Sequence, residues 1–351
     1  MDAASAADYL QRVPKAELHV HLEGAIRPPR LLRILQRHGR RAEFRTAEDL
    51  AFLYQHANFA AFLEHFRFAV LALRDVQEVH DVALDLCQEL SAQNVVYAEV
   101  IFSAGIFMRQ GMPLEELLAA ASEAADAASS AAGPAGEARY NFTIDLVRNF
   151  GPEFAVHTAE ALGCAAHPRV VGVHLGGDEV RFPAALFATA FHVAREAGLG
   201  RAAHAGETAG ADSIRDAVAR LGVQRIGHGI RCLEDETLVE ELAASRVTLE
   251  VCPTSNVCTG VVPDLAHHPL PELLRRGLRV TLGADDPSFF ATDLTRELQV
   301  AHATLGLSLE TVDGLVDNAV ESAFLPAGER ASRLAALRQA RAAVRRDLGL
   351  I

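Results

Sequence analysis

The stretch Lys15-Ala-Glu-Leu-His-Val-His-Leu-Glu-Gly24 alternates in the manner of a β-strand. Side chains two apart on a strand share a face, so His19 and His21 project together from its end. Two imidazoles on one face make half a metal site. A strand cannot supply a third ligand at useful geometry without turning back, so the remaining ligands must come from distant chain.

Outward from this strand the sequence repeats one pattern. Pro28 and Pro29 open a helix that Gly39 can cap, and Thr46 to Arg74 carries apolar residues at helical spacing (Leu50, Leu53, Phe59, Phe62, Leu63, Phe66). The second segment reads as a helical insertion after strand one, either covering a pocket or packing as ordinary core. Asp75 and Glu78 form a capping pair before a helix to about Gln93. Further apolar, β-branched runs follow at Val95–Phe102, Tyr140–Val147, Val170–His174, Arg201–His204, Gln224–His228, Val247–Val251 and Leu278–Ala284. Helical patterns separate them. Eight strands alternating with helices predict a parallel sheet closed into a (β/α)8 TIM barrel, with a helical C-terminal tail from Ser308. The Ala131 to Gly136 stretch reads as a turn inside one unit, so residues 1–351 are expected to form a single domain.

Composition narrows the function. The chain has 351 residues, half of them apolar, and a net charge of −13. That charge opposes attraction to phosphate backbones and anionic membranes, so neither nucleic acid nor membrane is an expected partner. No apolar run approaches the roughly 20 residues of a membrane span. Met1 to Val13 lacks the apolar core of a secretory signal, and the expectation is a cytoplasmic protein. The five cysteines include no Cys-x-x-Cys pair and read as buried small hydrophobes. Apart from histidine, every basic residue except Lys15 is arginine. Oligomeric state is not legible.

Barrel enzymes carry chemistry at the C-terminal ends of their strands. Here strand one ends in His19 and His21, strand five in His204, strand six in His228 and strand eight in Asp285. A lone histidine at such a place is ordinarily a core or loop residue, and His38, His56, His80 and His192 are read so. The agreement of several independent strand ends is what singles out the others. Glu207 lies just past His204, Gly227 and Gly229 flank His228, and Asp285-Asp286-Pro287 presents two adjacent carboxylates. An Asp at that place has helix capping as its plain reading. Histidines with a carboxylate suit zinc with one open position, where the pKa of bound water falls from about 15.7 to about 7. This is the equipment of a hydrolase. Glu207 is then a general acid or base and His228 a second proton-handling group.

At these residues the sequence resembles the adenosine deaminase family, a metal-dependent branch of the amidohydrolase superfamily. The matching segments are KAELHVHLEG, VGVHLGGDE, HAGE, RIGHG, CPTSN and LGADDP, within about Pro14 to Phe324. The resemblance implies a zinc barrel that hydrolyses the 6-amino group of a purine. It implies one zinc per chain, held by His19, His21, His204 and Asp285. Glu207 would protonate purine N1, and His228 would orient and deprotonate the zinc-bound water. Asp286 would meet N7, and the Gly177 N–H would meet N3. The chain departs from the family pattern at Glu23, where adenosine-acting members carry a ribose-contacting Asp and the adenine branch carries Glu. It departs again at His174, for the usual Asp, and at Ile101, for a frequent Arg. The expected substrate is a 6-aminopurine nucleoside, adenosine first, with adenine or another 6-aminopurine nucleoside as the alternative. A two-metal hydrolase bridged by a carbamylated lysine is excluded, since no lysine follows Lys15. A non-catalytic purine-binding protein would be expected to lack Glu207 and His228.

Overall fold

The computed structural model describes residues 3–56, 58–129 and 137–350. Among them eight strands form one sheet in sequence order: β1 (Lys15–His21), β2 (Val95–Phe102), β3 (Arg139–Asp145), β4 (Val170–His174), β5 (Gly200–Ala205), β6 (Arg225–His228), β7 (Thr248–Val251) and β8 (Arg279–Leu282). Every consecutive pair is parallel. Closure comes from a parallel bridge between Val20 and Asp285. There the His21 N–H donates to the Asp285 carbonyl at 2.8 Å, and the Asp285 N–H donates to the His19 carbonyl at 3.0 Å. The Glu17 carboxylate accepts the Ala284 N–H at 2.8 Å along the same seam. The expected (β/α)8 barrel is the observed fold. The expected turn at Ala131 to Gly136 lies outside the described residues.

Helix α1 (Ala3–Arg12) precedes the barrel, a segment to which the sequence reading assigns no element. It is fixed from far away: the Tyr9 hydroxyl donates to Asp313 at 2.8 Å and accepts from Arg345 Nε at 3.0 Å. Helix α2 (Pro28–Arg37) follows the double proline. The insertion comprises a 3₁₀ turn over Glu48–Tyr54 and helix α3 (Phe59–Val70), whose cap Asn58 accepts the Ala61 N–H at 3.0 Å. Helix α4 (Val76–Ala92) starts where Asp75 accepts the Glu78 N–H at 2.8 Å. Such caps are worth about 0.5–2 kcal/mol each.

The barrel interior is polar below its chemistry-bearing mouth. Arg225, 1% exposed, lies 2.6 Å from carboxylate oxygens of both Glu99 and Glu250 and stacks 3.6 Å under the Phe324 ring. The Tyr97 hydroxyl donates to Glu99 at 2.6 Å. A charge this deep persists only because it is paired; removing one partner typically costs about 3–5 kcal/mol. Cys87, Cys232 and Cys252 are buried as expected, whereas Cys164 is exposed and Cys258 half-buried, a correction to reading all five as buried. Among the described residues no helix is long and apolar enough to cross a membrane.

Candidate active site

A cavity of about 640 Å³ opens at the C-terminal ends of the strands. Its floor includes His21, His204, Glu207, His228, Asp285 and Asp286. The fold thus brings eight of the nine sequence-predicted site residues to one place: His19 lies just beneath, and Gly177 forms part of the rim. The ninth, Glu23, sits under the cavity surface instead. It is fully buried, and its Oε1 accepts the Ser103 N–H at 2.9 Å.

The imidazoles converge. Ring centroids of His19 and His204 lie 4.7 Å apart, those of His21 and His204 5.4 Å, and those of His204 and His228 5.0 Å. His19 Nε2 and His21 Nε2 approach the same oxygen, Asp285 Oδ1, at 3.3 and 3.2 Å. Two ligand groupings arise within 4.8 Å: His19, His204, His228 and Asp285, and His21, Asp285 and Asp286. His19 Nε2 is buried without a hydrogen-bond partner, which leaves its lone pair free for a cation. Nitrogen and carboxylate donors of this kind fit a divalent transition metal.

Each converging group is held from behind. Glu250 Oε2 lies 3.0 Å from His19 Nδ1, joining that ring to the buried Arg225 pair. His174 Nε2 lies 2.6 Å from His204 Nδ1, so a neutral imidazole stands where a carboxylate often backs a ligating histidine. The Ser255 hydroxyl donates to Asp285 Oδ2 at 2.6 Å. Glu179 accepts the N–H groups of Gly206 at 2.5 Å and of Thr208 and Ala209 at 3.0 Å, which fixes the turn bearing Glu207.

Hydrogen bonds also set the His228 tautomer. The backbone N–H of Leu270 donates to His268 Nδ1 at 3.1 Å, so the His268 proton resides on Nε2. That proton faces Asn256 Oδ1 at 3.2 Å, and the Asn256 amide nitrogen then donates to His228 Nδ1 at 3.1 Å. His228 therefore carries its proton on Nε2, which points into the site 3.7 Å from Glu207 and 3.8 Å from Asp285.

Electrostatics separate the roles. Burial, with the carboxylates of Asp285 and Glu179, pushes Glu207 well above the usual carboxylate range, the direction a proton donor needs. Burial lowers His228 to about 3, leaving a neutral ring. Burial opposes charge on Asp285 too, yet the imidazoles of His19 and His21 hold it well below the ordinary range. Asp286 makes no cap bond to the helix it precedes, and its Oδ1 is buried without a partner, so helix capping does not account for it.

Backbone strain marks the same places. His228 (φ 60°), Asp285 (φ 62°) and Val147 (φ 47°) adopt positive φ without being glycine, at a cost of about 1–3 kcal/mol each. Gly177 (φ 104°) must be glycine: a Cβ there would stand 2.3 Å from Asn149 Oδ1. The insertion forms one cavity wall through Phe59, Phe62 and Phe66 while packing on the helix after Asp286, with Phe62 and Phe290 centroids 4.9 Å apart. Pocket wall and core packing are thus both realised in it.

Sequence reasoning assigned no role to Glu250, Ser255, Asn256, His268, Glu179 or Asp145. Ser255 and Asn256 lie in the CPTSN segment and Glu179 in VGVHLGGDE, so those motifs carried a usable signal. Glu250 and His268 carried none.

The sequence model of the family described as Adenosine deaminase matches residues 14–339. Over 323 residues the chain is 36% identical to an adenine deaminase of Rhizobium meliloti (strain 1021), covering 92% of this chain and 98% of that protein. The crystal structure of an adenine deaminase from Arthrobacter aurescens superposes with a TM-score of 0.86 at 30% identity, covering 93% of this chain and 98% of that one. An amidohydrolase from Burkholderia ambifaria, solved with bound zinc, superposes with a TM-score of 0.90 at 22% identity, covering 100% of this chain and 96% of that one; this likeness concerns the fold.

Proposed function

This chain belongs to the adenosine deaminase family, and from that premise we propose that it hydrolyses the 6-amino group of free adenine, giving hypoxanthine and ammonia. Hydrolytic deamination at a C–N bond is the family's reaction and is this chain's as well. The observation that carries adenine over adenosine is Glu23. Its carboxylate is fully buried with Oε1 on the Ser103 N–H, the adenine branch carries Glu at this place, and the relatives named above are adenine deaminases.

In this reading His19, His21, His204 and Asp285 would hold one zinc ion, which when bound would supply Lewis acidity toward water. Protonated Glu207 donates to N1, drawing electrons from C6. His228 presents its Nε2–H to the oxygen that adds at C6, orienting it; with that proton in place it is not the base the sequence reading expects. As the C6–N bond breaks, the proton of the added hydroxyl passes to the amine, which leaves as ammonia, and the other water proton restores Glu207. Asp286 faces N7, and the Gly177 N–H meets N3. The phenylalanine wall excludes water from the ring faces. A positioned acid of this kind contributes about 10²–10⁴-fold.

Ammonia release from adenine and adenosine, measured side by side, tests the substrate: adenine should have the larger kcat/KM. A larger value for adenosine would establish the second reading, a 6-aminopurine nucleoside. That reading is favoured by the cavity's volume, which falls within the roughly 300–1,000 Å³ of sites for ligands larger than a bare base. Elemental analysis should return one zinc per chain; two metals, or full activity after metal removal, would refute the mononuclear site.

A further inference from the structure

The groups assigned above leave one cavity-lining carboxylate without a task. Asp145 ends β3 and is 5% exposed. Its Oδ1 accepts the N–H groups of Gly176 at 2.7 Å and Val147 at 3.0 Å, and its Oδ2 accepts the Ser103 hydroxyl at 3.2 Å. Three donors fix the group, yet a carboxylate offers about four acceptor directions, so one remains for the cavity. The turn that follows is strained at Val147, as are the positions of His228 and Asp285, and all three border the same cavity.

The order of the strands identifies what Asp145 faces. Around the barrel mouth the strands run β1 to β8 in sequence. The perimeter of a purine runs N1, C2, N3, C4, N9, C8, N7, C5, C6. With N1 at Glu207 beside β5, N3 at Gly177 beside β4, and N7 at Asp286 beside β8, the two cycles coincide. C6 then falls toward β6 and β8, where His228 and Asp285 stand, and N9 falls beside N3 toward β3. Resting on the adenine reading above, we propose that Asp145 accepts the N9–H of the free base and is the residue that distinguishes it from N9-substituted purines. An N9 substituent removes the donor and brings a carbon against a buried acceptor. Sites built around such a hydrogen bond reject the analogue lacking it by as much as about 10⁴–10⁵.

The experiment compares adenine with 9-methyladenine in wild type, Asp145→Ala and Asp145→Asn, with zinc content and circular dichroism recorded for each. Wild type should prefer adenine by at least about 10²-fold in kcat/KM. In Asp145→Ala that ratio should fall at least about tenfold, because adenine loses rate and 9-methyladenine does not. Asp145→Asn carries the same comparison if the alanine variant does not fold. Its Oδ1 must stay with the two backbone N–H groups, which leaves an NH₂ facing the cavity, so the ratio should fall there too. If both substrates decline by one common factor, Asp145 only braces the loop and the proposal is overturned. If wild type prefers 9-methyladenine or adenosine, the adenine reading fails instead.

Discussion

Two arcs border the cavity and are built on different plans. The arc from β5 through β8 to β1 is a cluster of imidazoles and carboxylates, in which His19, His204, Asp285, His228 and the Glu207 turn are held from behind by Glu250, His174, Ser255, Asn256 and Glu179 respectively. The arc from β2 to β4 offers a hydroxyl, one carboxylate and a glycine turn, with the α3 phenylalanines beside it. In the proposed reaction the first arc handles protons, and its residues must be of particular chemical types. The second orients a flat molecule, which backbone groups and common side chains can do. Reaction and selection are therefore separable here, and substitutions should sort accordingly.

The largest effect should come from the reacting arc. Glu207→Gln keeps the shape and removes the transferable proton, so kcat should fall about 10²–10⁴-fold while zinc content stays at the wild-type level. Retention of more than a tenth of wild-type kcat would remove Glu207 from its role. Asp285→Ala should weaken metal binding by more than the 10–100-fold typical of losing an outer partner, read by competition with a chelator. His268→Phe touches no substrate, yet it should cost about tenfold in kcat, near the lower end of that range, because Asn256 loses the donor that fixes its orientation. Nitrogen NMR should then show the His228 proton no longer confined to Nε2. Smallest is Phe66→Ala in the wall, which should raise KM several-fold with kcat nearly unchanged. A kcat effect as large as that of Glu207→Gln would erase the distinction between wall and floor.

The reacting arc was also the legible one. His19, His21, His204, Glu207, His228, Asp285 and Asp286 stand at strand ends in short motifs, and apolar runs such as Val95–Phe102 coincide with strands residue for residue. What was not legible depends on distance across the fold. Helix α1 is short and fixed by Asp313 and Arg345, some 300 residues away. Glu250 and Arg225 occupy strands that read as apolar, and only the closed barrel brings them together with Glu99. Asp145 sits at the end of an unremarkable strand, and nothing local indicates that Gly176 and Ser103 will turn its carboxylate toward the cavity.

The seam between β1 and β8 adds a kinetic consequence. Its hydrogen bonds join residues as far apart in the chain as Glu17 and Ala284, 267 positions, and they run through His19, His21 and Asp285 themselves. Contacts of such separation carry the largest loop-closure cost and tend to form late in folding. A cation held as proposed, by residues on both sides of that seam, would act as its latch. Chelation should accordingly speed amide exchange first at His21 and Asp285 and leave the pairing of β2 with β3 protected, so that metal removal unzips the barrel along a single line.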